Sequence, residues 1–217
     1  MVVYVPVLFS IPHHFQTIAY TGFGLCGVAE TIITALKSRP DLTDLKMVSN
    51  NAGITHTGGL APLISSGQIS KMTLSYVGTN KELERAYLDG GIELELSPQG
   101  SIAERLRCAG HGMPGLYTRT GVDTVVERGE IPARFDKTTG EAILSEKKET
   151  RVIDGKKYLW EPAIRGDVAI LRAWKVDKAG NCRFRYTTRA FAGLMAKAAR
   201  LSIVEVSSGG RETWSVC

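Results

Sequence analysis

The chain has 217 residues, 43% of them hydrophobic and 23% charged, which is enough for one good-sized α/β domain and short for two. Its formal net charge of +5 is modest, and no run of bases resembles a basic arm, so an anionic small molecule accounts for the excess as well as nucleic acid does. The four cysteines, Cys26, Cys108, Cys182 and Cys217, are scattered with no C-x-x-C pair and no matching histidines, a pattern of a reducing compartment without a zinc site. No apolar run approaches the ~20 residues of a membrane span.

Taken in chain order, M-V-V-Y-V-P-V-L-F opens the sequence as an apolar segment with no basic region before it and no small-residue cleavage site after it. It also lacks the arginines and serines of a transit peptide, and reads as a strand or as a poorly placed segment. A second apolar run, Thr17–Tyr20, leads into T-G-F-G-L-C-G (Thr21–Gly27). The segment V-A-E-T-I-I-T-A-L-K then reads as a helix with Val28, Ile32, Ala35 and Leu36 on one face. Glycines between a strand and a helix permit backbone angles that a β-carbon forbids. They also let a phosphate or carboxylate sit against free helix N–H groups.

Gly22, Gly24 and Gly27 spell G-x-G-x-x-G, but a dinucleotide site also needs an acid at the end of the following strand. That strand, Leu45–Val48, ends in Ser49-Asn50-Asn51, and Asp44 lies at its wrong end. This argues against a nicotinamide or flavin. A ligand-holding loop and a plain glycine turn both stay open.

Further along, Thr57-Gly58-Gly59 precedes a short helix at Leu60–Ser65, and Met72–Val77 reads as a strand ended by Gly78. Asn80 caps a helix with Leu83 and Tyr87 inward, stopped by Asp89-Gly90-Gly91. Ile92–Leu96 alternates as a strand and ends in Ser97-Pro98-Gln99-Gly100. Ser101-Ile102-Ala103-Glu104 has the form of a capping box opening a helix to Gly110. Strand, turn and helix recur so regularly that an open, mostly parallel sheet with crossover helices is the economical architecture.

The character changes after Gly129. Residues 132–157 are charged and poor in large apolar side chains, as an exposed excursion would be, and Asp154-Gly155 between alternating runs is a hairpin signal. Val168–Val176, a turn at Asp177–Gly180 and Cys182–Tyr186 read as another hairpin or as strands flanking a tight turn. Thr188–Arg200 is a helix with Phe191, Leu194, Met195 and Ala198 inward, and Leu201–Val206 a last strand. The tail over 207–217 has no periodicity, and no internal repeat is evident.

Two polar loops, Ser49–Gly53 and Ser97–Gly100, leave strand ends on the edge where open α/β sheets hold ligands. Asn50, Asn51 and Gln99 offer uncharged amide donors suited to a carbonyl or a developing oxyanion. An Asx-turn is the competing account of the asparagines. The four histidines, His13, His14, His56 and His111, form no constellation. Cys26 reads as a small packing residue near a helix start. Cys182-Arg183-Phe184-Arg185-Tyr186 interleaves bases and aromatics, which an alternating half-exposed strand explains more simply than a nucleic-acid surface. Among carboxylates that could act as nucleophiles, Glu30 reads as a first-turn acid, and Glu93 and Glu95 share the outer face of their strand.

These residues resemble a family, the coenzyme A transferases acting on 3-oxoacids, in its α-subunit or N-terminal half. The resembling segments are G-F-G-L-C-G (22–27), V-S-N-N-A-G (48–53), S-Y-V-G-T-N-K-E-L-E-R-A-Y-L (75–88) and E-L-E-L-S-P-Q-G-S-I-A-E-R-L-R (93–107). They continue in G-D-V-A-I-L-R-A-W-K-V-D-K-A-G-N (166–181) and S-I-V-E-V (202–206), collinear from Gly22 to Val206. The charged insert at 132–157 is similar to that of the single-chain mitochondrial members.

The resemblance implies one α/β domain with helices on both faces of the sheet. It also implies ping-pong transfer of coenzyme A between carboxylates, such as succinyl-CoA to acetoacetate in ketone-body breakdown. A glutamate attacks the thioester, giving a mixed anhydride and then an enzyme–CoA thioester. By the same resemblance Gln99 serves the oxyanion site, Asn50 and Asn51 match an asparagine pair at the cleft, and Gly24 and Gly27 match the glycine loop. No metal or permanently bound cofactor is implied, since the CoA thioester is itself the substrate. The implied partners are a β half or subunit, fused or separate in a homo- or hetero-oligomer, with neither nucleic acid nor membrane. The implied location is the mitochondrial matrix, although no targeting segment is visible.

The chain departs from the family pattern in three places. Thr21 stands for a glycine and Ala29 for a proline, and residues 1–16 are atypical. The nucleophilic glutamate of the Ser-Glu-Asn-Gly motif has no counterpart in this sequence. The expectation is therefore half of an active site. The alternatives are a truncated, incompetent product that keeps the fold, or a metabolite-binding domain built on the same sheet edge.

Overall fold

The computed structural model describes residues 16–54, 58–78 and 80–207. The apolar N-terminal segment with His13 and His14, the loop residues His56 and Thr57, and the tail with Cys217 lie outside the described residues.

Six strands make one parallel sheet: β1 (Thr17–Tyr20), β2 (Leu45–Val48), β3 (Ile69–Leu74), β4 (Glu93–Leu96), β10 (Gly166–Ala173) and β13 (Ala199–Val206), in the order β13-β10-β1-β2-β3-β4. In register, Ile18 lies beside Met47 and Val168, and Met72 beside Met47 and Leu94, so large apolar side chains line one face. The next register row, Ala19 with Val48 and Ala169, turns smaller residues to the other face. Period-two alternation thus divides the core into two layers.

The first face is covered by α1 (Glu30–Lys37), α2 (Ala61–Ser65) and α3 (Lys81–Leu88), through Ile32, Ile33, Leu36, Leu63 and Leu83. Against the second lie α4 (Gln99–Gly110) and α6 (Ala192–Ala198), through Ile102, Leu106, Phe191 and Met195. The fold is the expected α/β class, an open sheet with helices on both sides. The chain enters at β1 in the middle, steps outward to β4, and returns to lay β10 on the other side of β1. The helix after β1 covers one face and that after β10 the other, which makes the β1–β10 boundary the topological switch point of the sheet.

Between α4 and β10 the chain builds β5 (Gly115–Thr118), α5 (Val125–Arg128), β6 (Pro132–Phe135), β7 (Ala142–Leu144), β8 (Thr150–Ile153) and β9 (Lys156–Pro162). These give an antiparallel β5-β9-β8 sheet and a β6–β7 hairpin. Asp154 and Gly155 both take left-handed angles, φ 50° and 71°, in the turn that their sequence signals. The charged stretch 132–157 is mostly exposed, as expected, yet it is built of strands. Strands wetted on both sides carry little apolar pattern. Leu159 and Glu161 of β9 are fully buried where this layer meets the main sheet.

Several element boundaries move. The helix read from Val28 begins at Glu30, because Ala29 is its N-cap residue. The strand read as Met72–Val77 is Ile69–Leu74, since Ser75 leaves the sheet to donate its N–H and hydroxyl to the Asn50 carbonyl. The helix read over 188–200 is the shorter α6, and β13 follows it directly. Of the hairpin read at 168–186 only the tip pairs, as β11 (Lys175–Val176) with β12 (Cys182–Arg183), because Val168–Ala173 is taken into β10 of the parallel sheet. Asn80 caps α3 as expected, its Oδ1 accepting from Leu83 N–H at 3.0 Å.

Candidate functional site

Because the six strands are parallel, the loops after β1, β2, β3 and β4 all leave by the same rim. The glycine loop, the asparagine loop and Gln99 therefore share that rim, in the order in which the sheet sets out their strands.

The glycine loop is a closed reverse turn. Phe23 and Cys26 exchange both backbone hydrogen bonds at 3.2 Å, leaving Gly24 and Leu25 at the tip. Thr21, where the family pattern has glycine, is wholly buried, and its hydroxyl donates to the Gly27 carbonyl at 3.0 Å, which ties the loop shut. Gly24 has φ +63° and open space where a Cβ would point. Gly27 has φ +78°, and a Cβ there would stand 2.7 Å from the Thr188 carbonyl oxygen, so only glycine allows this approach. Cys26 is an exposed loop residue four positions before α1, not a residue of the helix N-terminus.

The asparagine loop is locked to the glycine loop. Glu30 Oε1 accepts from Gly59 N–H at 3.0 Å, and a Cβ on Gly58 would meet Leu25 as well as Glu30. Inside the loop, Leu60 N–H donates to the Ala52 carbonyl. Asn51 Oδ1 accepts from Gly53 N–H at 3.0 Å, the Asx-turn anticipated as the competing account. Asn50 is buried, with Oδ1 accepting from Ser75 Oγ at 2.8 Å. With both amide oxygens engaged as acceptors, what each asparagine has left to offer is its Nδ2 donor.

Gln99 stands three strand positions from the glycine loop, a separation of about 14 Å at the usual spacing. It is exposed at the first turn of α4, whose N-cap is Pro98. The capping box does not form. Pro98 presets the backbone, the helix starts at Gln99, and Ile102 N–H closes the first turn on the Pro98 carbonyl. Ser101 is thereby inside the helix, and Glu104 pairs with Arg107 at 2.7 Å. No side chain caps α4, so its first N–H groups face the rim with their partial positive charge.

The Ser49 and Ser101 hydroxyls are buried on this rim with no hydrogen-bond partner among the described residues. The Tyr20 hydroxyl, at the end of β1, approaches the Ala29 backbone without a well-formed hydrogen bond. Buried polar atoms without partners are uncommon in folded proteins. Their gathering at three strand ends on one rim marks this edge apart from the rest of the molecule, and nothing in the sequence pattern signals it.

The carboxylates weighed as nucleophiles are all engaged. Glu30 bridges the loops. Glu93 pairs with Lys71 at 2.8 Å, and Glu95 with Arg105 at 2.6 Å. Burial alone would raise the Glu95 carboxyl, but the Arg105 charge and hydrogen bond, with Lys71 and Lys148 behind them, hold it below the usual carboxylate range. Arg105 also donates to the Pro162 carbonyl at 2.8 Å and faces Glu161, which Lys148 reaches at 3.0 Å, so this network joins the sheet to the β5–β9 layer. His111 closes the opposite end of α4, with Nδ1 2.8 Å from the Arg107 carbonyl. Among the described residues no group of His, Cys, Asp and Glu could hold a metal, and no helix is long and apolar enough to cross a membrane.

The fold is that of an open α/β protein, and backbone and amide donors lie along the rim at the carboxyl ends of its strands. A family profile described as Coenzyme A transferase matches residues 15–211, and the chain belongs to that family. It is 47% identical over 191 residues to one of the subunits of the succinyl-CoA:3-ketoacid coenzyme A transferase of Xanthomonas campestris, a match covering 88% of this chain and 71% of that one. It is 45% identical over the same length to the mitochondrial "Succinyl-CoA:3-ketoacid coenzyme A transferase 2B" of Mus musculus, where the match covers 36% of the relative. In structure it is similar to an acyl-CoA transferase of Escherichia coli O157:H7, with a TM-score of 0.78 over 95% of this chain and 41% of that one, at 22% identity.

Proposed function

We propose that the chain is the α half of a 3-oxoacid coenzyme A transferase, moving CoA from succinyl-CoA to a 3-oxoacid such as acetoacetate in ketone-body breakdown. In this reading the glycine loop and the asparagine pair hold the thioester arm, and Gln99, backed by the α4 N-terminus, stabilises the oxyanion as the thioester carbonyl is attacked. The attacking group is a glutamate of a β half, which forms an anhydride with the acyl group and expels CoA thiolate. The thiolate then attacks the glutamyl carbonyl, giving a glutamyl-CoA thioester and releasing the first carboxylate, succinate. The second carboxylate reverses these steps and leaves as the new acyl-CoA. Assembly with that β half, and residence in the mitochondrial matrix, which the mitochondrial mouse relative supports only as far as the organelle, belong to the same reading.

The observation that carries it is the combination at the rim. Glu30, Glu93 and Glu95 are each bound up in structure, while an exposed amide and an uncapped helix start remain for a developing negative charge. The test is exchange of CoA between succinate and acetoacetate, assayed with the 217-residue chain alone and again with a co-expressed β half. Exchange only in the second case is expected. Exchange by the chain alone would refute the divided site, and none in either case, with a metabolite carboxylate still bound, would favour a binding module.

A further inference from the structure

Four exposed bases meet on the second helical layer. Arg107 lies in the last turn of α4 and His111 at its C-cap, the end opposite Gln99, while Arg189 and Lys197 come from the turn before α6 and from α6 itself. Together they line a cavity of about 330 Å³, at the small end of the usual range for ligand pockets. Ala190, Gly193 and Leu194 complete the wall, so among the described residues it holds neither an acid nor an aromatic ring.

Backbone packing builds this arrangement. A Cβ on Gly110 would stand 2.7 Å from the Lys197 Cβ and 3.2 Å from its carbonyl carbon, so α4 ends directly against the root of Lys197. A Cβ on Gly193 would lie 3.8 Å from Arg189 Nη2, so that guanidinium folds back over a bare turn of α6. Like charges held this close repel one another. Glu104 offsets Arg107 with a 2.7 Å pair, but among the described residues no acid comes within ion-pair distance of Arg189 or Lys197. His111 spends Nδ1 on the Arg107 carbonyl at 2.8 Å, which leaves its Nε2.

We infer that this α4–α6 cavity binds a small phosphorylated molecule, with Arg189 and Lys197 on the phosphate and Arg107 and His111 as the facing wall. A phosphate offers acceptor oxygens in several directions and suits a guanidinium fork beside a point-charged ammonium. A polycarboxylate would ask for a fork at each carboxylate, and Arg189 is the one arginine of the wall without an acid partner among the described residues. A nucleobase or a single-stranded nucleic acid would need a stacking face, which this wall does not offer. Nothing in this site depends on the transferase reading, because its α4 wall lies at the end of that helix away from Gln99.

The test is calorimetric titration of the full-length chain with pyrophosphate at several salt concentrations, beside citrate as a polycarboxylate. The expected result is saturable one-to-one binding of pyrophosphate that weakens with salt and is about tenfold or more tighter than that of citrate. Arg189→Ala/Lys197→Ala should weaken pyrophosphate about tenfold or more, and alanine keeps the Cβ that packs on Gly110. Gly193→Leu should do the same with every charge in place, because its side chain fills the cavity on a helical backbone that accepts leucine. Lys156→Ala/Lys178→Ala, which removes two exposed charges elsewhere, should change nothing. An unchanged unfolding midpoint checks that each variant folds, and should Gly193→Leu not fold, the Arg189/Lys197 variant decides. Binding that does not saturate, unchanged affinity in Arg189→Ala/Lys197→Ala, or an equal loss in Lys156→Ala/Lys178→Ala would overturn the inference. So would citrate binding as tight as pyrophosphate, or displacement of pyrophosphate by CoA, which would make the cavity part of the substrate site.

Discussion

The two ends of the rim proposed as the active site are built on opposite principles. At the β1–β2 end, loops are held by backbone against backbone: Gly27 on Thr188, Leu60 N–H on Ala52, Glu30 reaching over to Gly59. At the β4 end, Gln99 stands exposed on a helix start that Pro98 fixes, and its side chain supports nothing else. Residues of the first kind are required for the fold and felt through it. A residue of the second kind is free to be chosen for chemistry alone, and the two should respond to substitution in different measurements.

The largest effect expected is at the exposed end. In the complemented enzyme, Gln99→Ala should lower kcat about 100- to 1000-fold, the usual loss for one oxyanion donor, with a smaller rise in KM and no shift in unfolding midpoint. Steady-state kinetics beside thermal melts check both halves, and an unchanged kcat removes Gln99 from the site.

At the packed end the order reverses. Gly27→Ala sets a Cβ against the Thr188 carbonyl at a left-handed backbone, and should cost about 2–4 kcal/mol in denaturant unfolding. Gly24→Ala in the same loop meets only backbone strain, about 1 kcal/mol, because open space surrounds it. Equal losses at the two glycines would mean that the loop does not rest on Thr188.

The smallest effect concerns pH. Glu95 is held below its unfolded carboxyl value, about 4.3, so its contribution is fully present above that value and is lost as pH falls through the folded one. Lys71 runs the other way. Burial would lower it, but Glu93 and Glu95 raise it, so its contribution is complete below about 10.4 and is lost as pH rises beyond. Glu95→Gln should flatten the acid limb of the stability–pH curve. An unaltered limb would show that the Glu95–Arg105 pair does not contribute there.

What the sequence disclosed follows the range of each interaction. Strand Leu45–Val48, the Asn80 cap and the Asp154-Gly155 turn depend on neighbours a few residues away, and they appear where the pattern puts them. The capping box misled because Ser101 and Glu104 have the right spacing, but the N-cap is Pro98, three residues before Ser101. Contacts across long stretches left no trace: Arg105 with Glu95 and Glu161, or Glu205 as the cap of α1. The bases of 172–189 were countable but spread over 18 residues, with no run dense enough to read as an arm. Only the turn of β11 onto β12 brings Arg183 and Arg185 to one tryptophan.

The divided site is tested most directly by finding where the covalent intermediate forms. The chain, assembled with a β half, would be exposed to succinyl-CoA without acceptor, and each polypeptide weighed by mass spectrometry. The account predicts a CoA adduct on a glutamate of the β half and none on this chain. A CoA adduct on Glu30, Glu93, Glu95 or any other carboxylate of these 217 residues would contradict it.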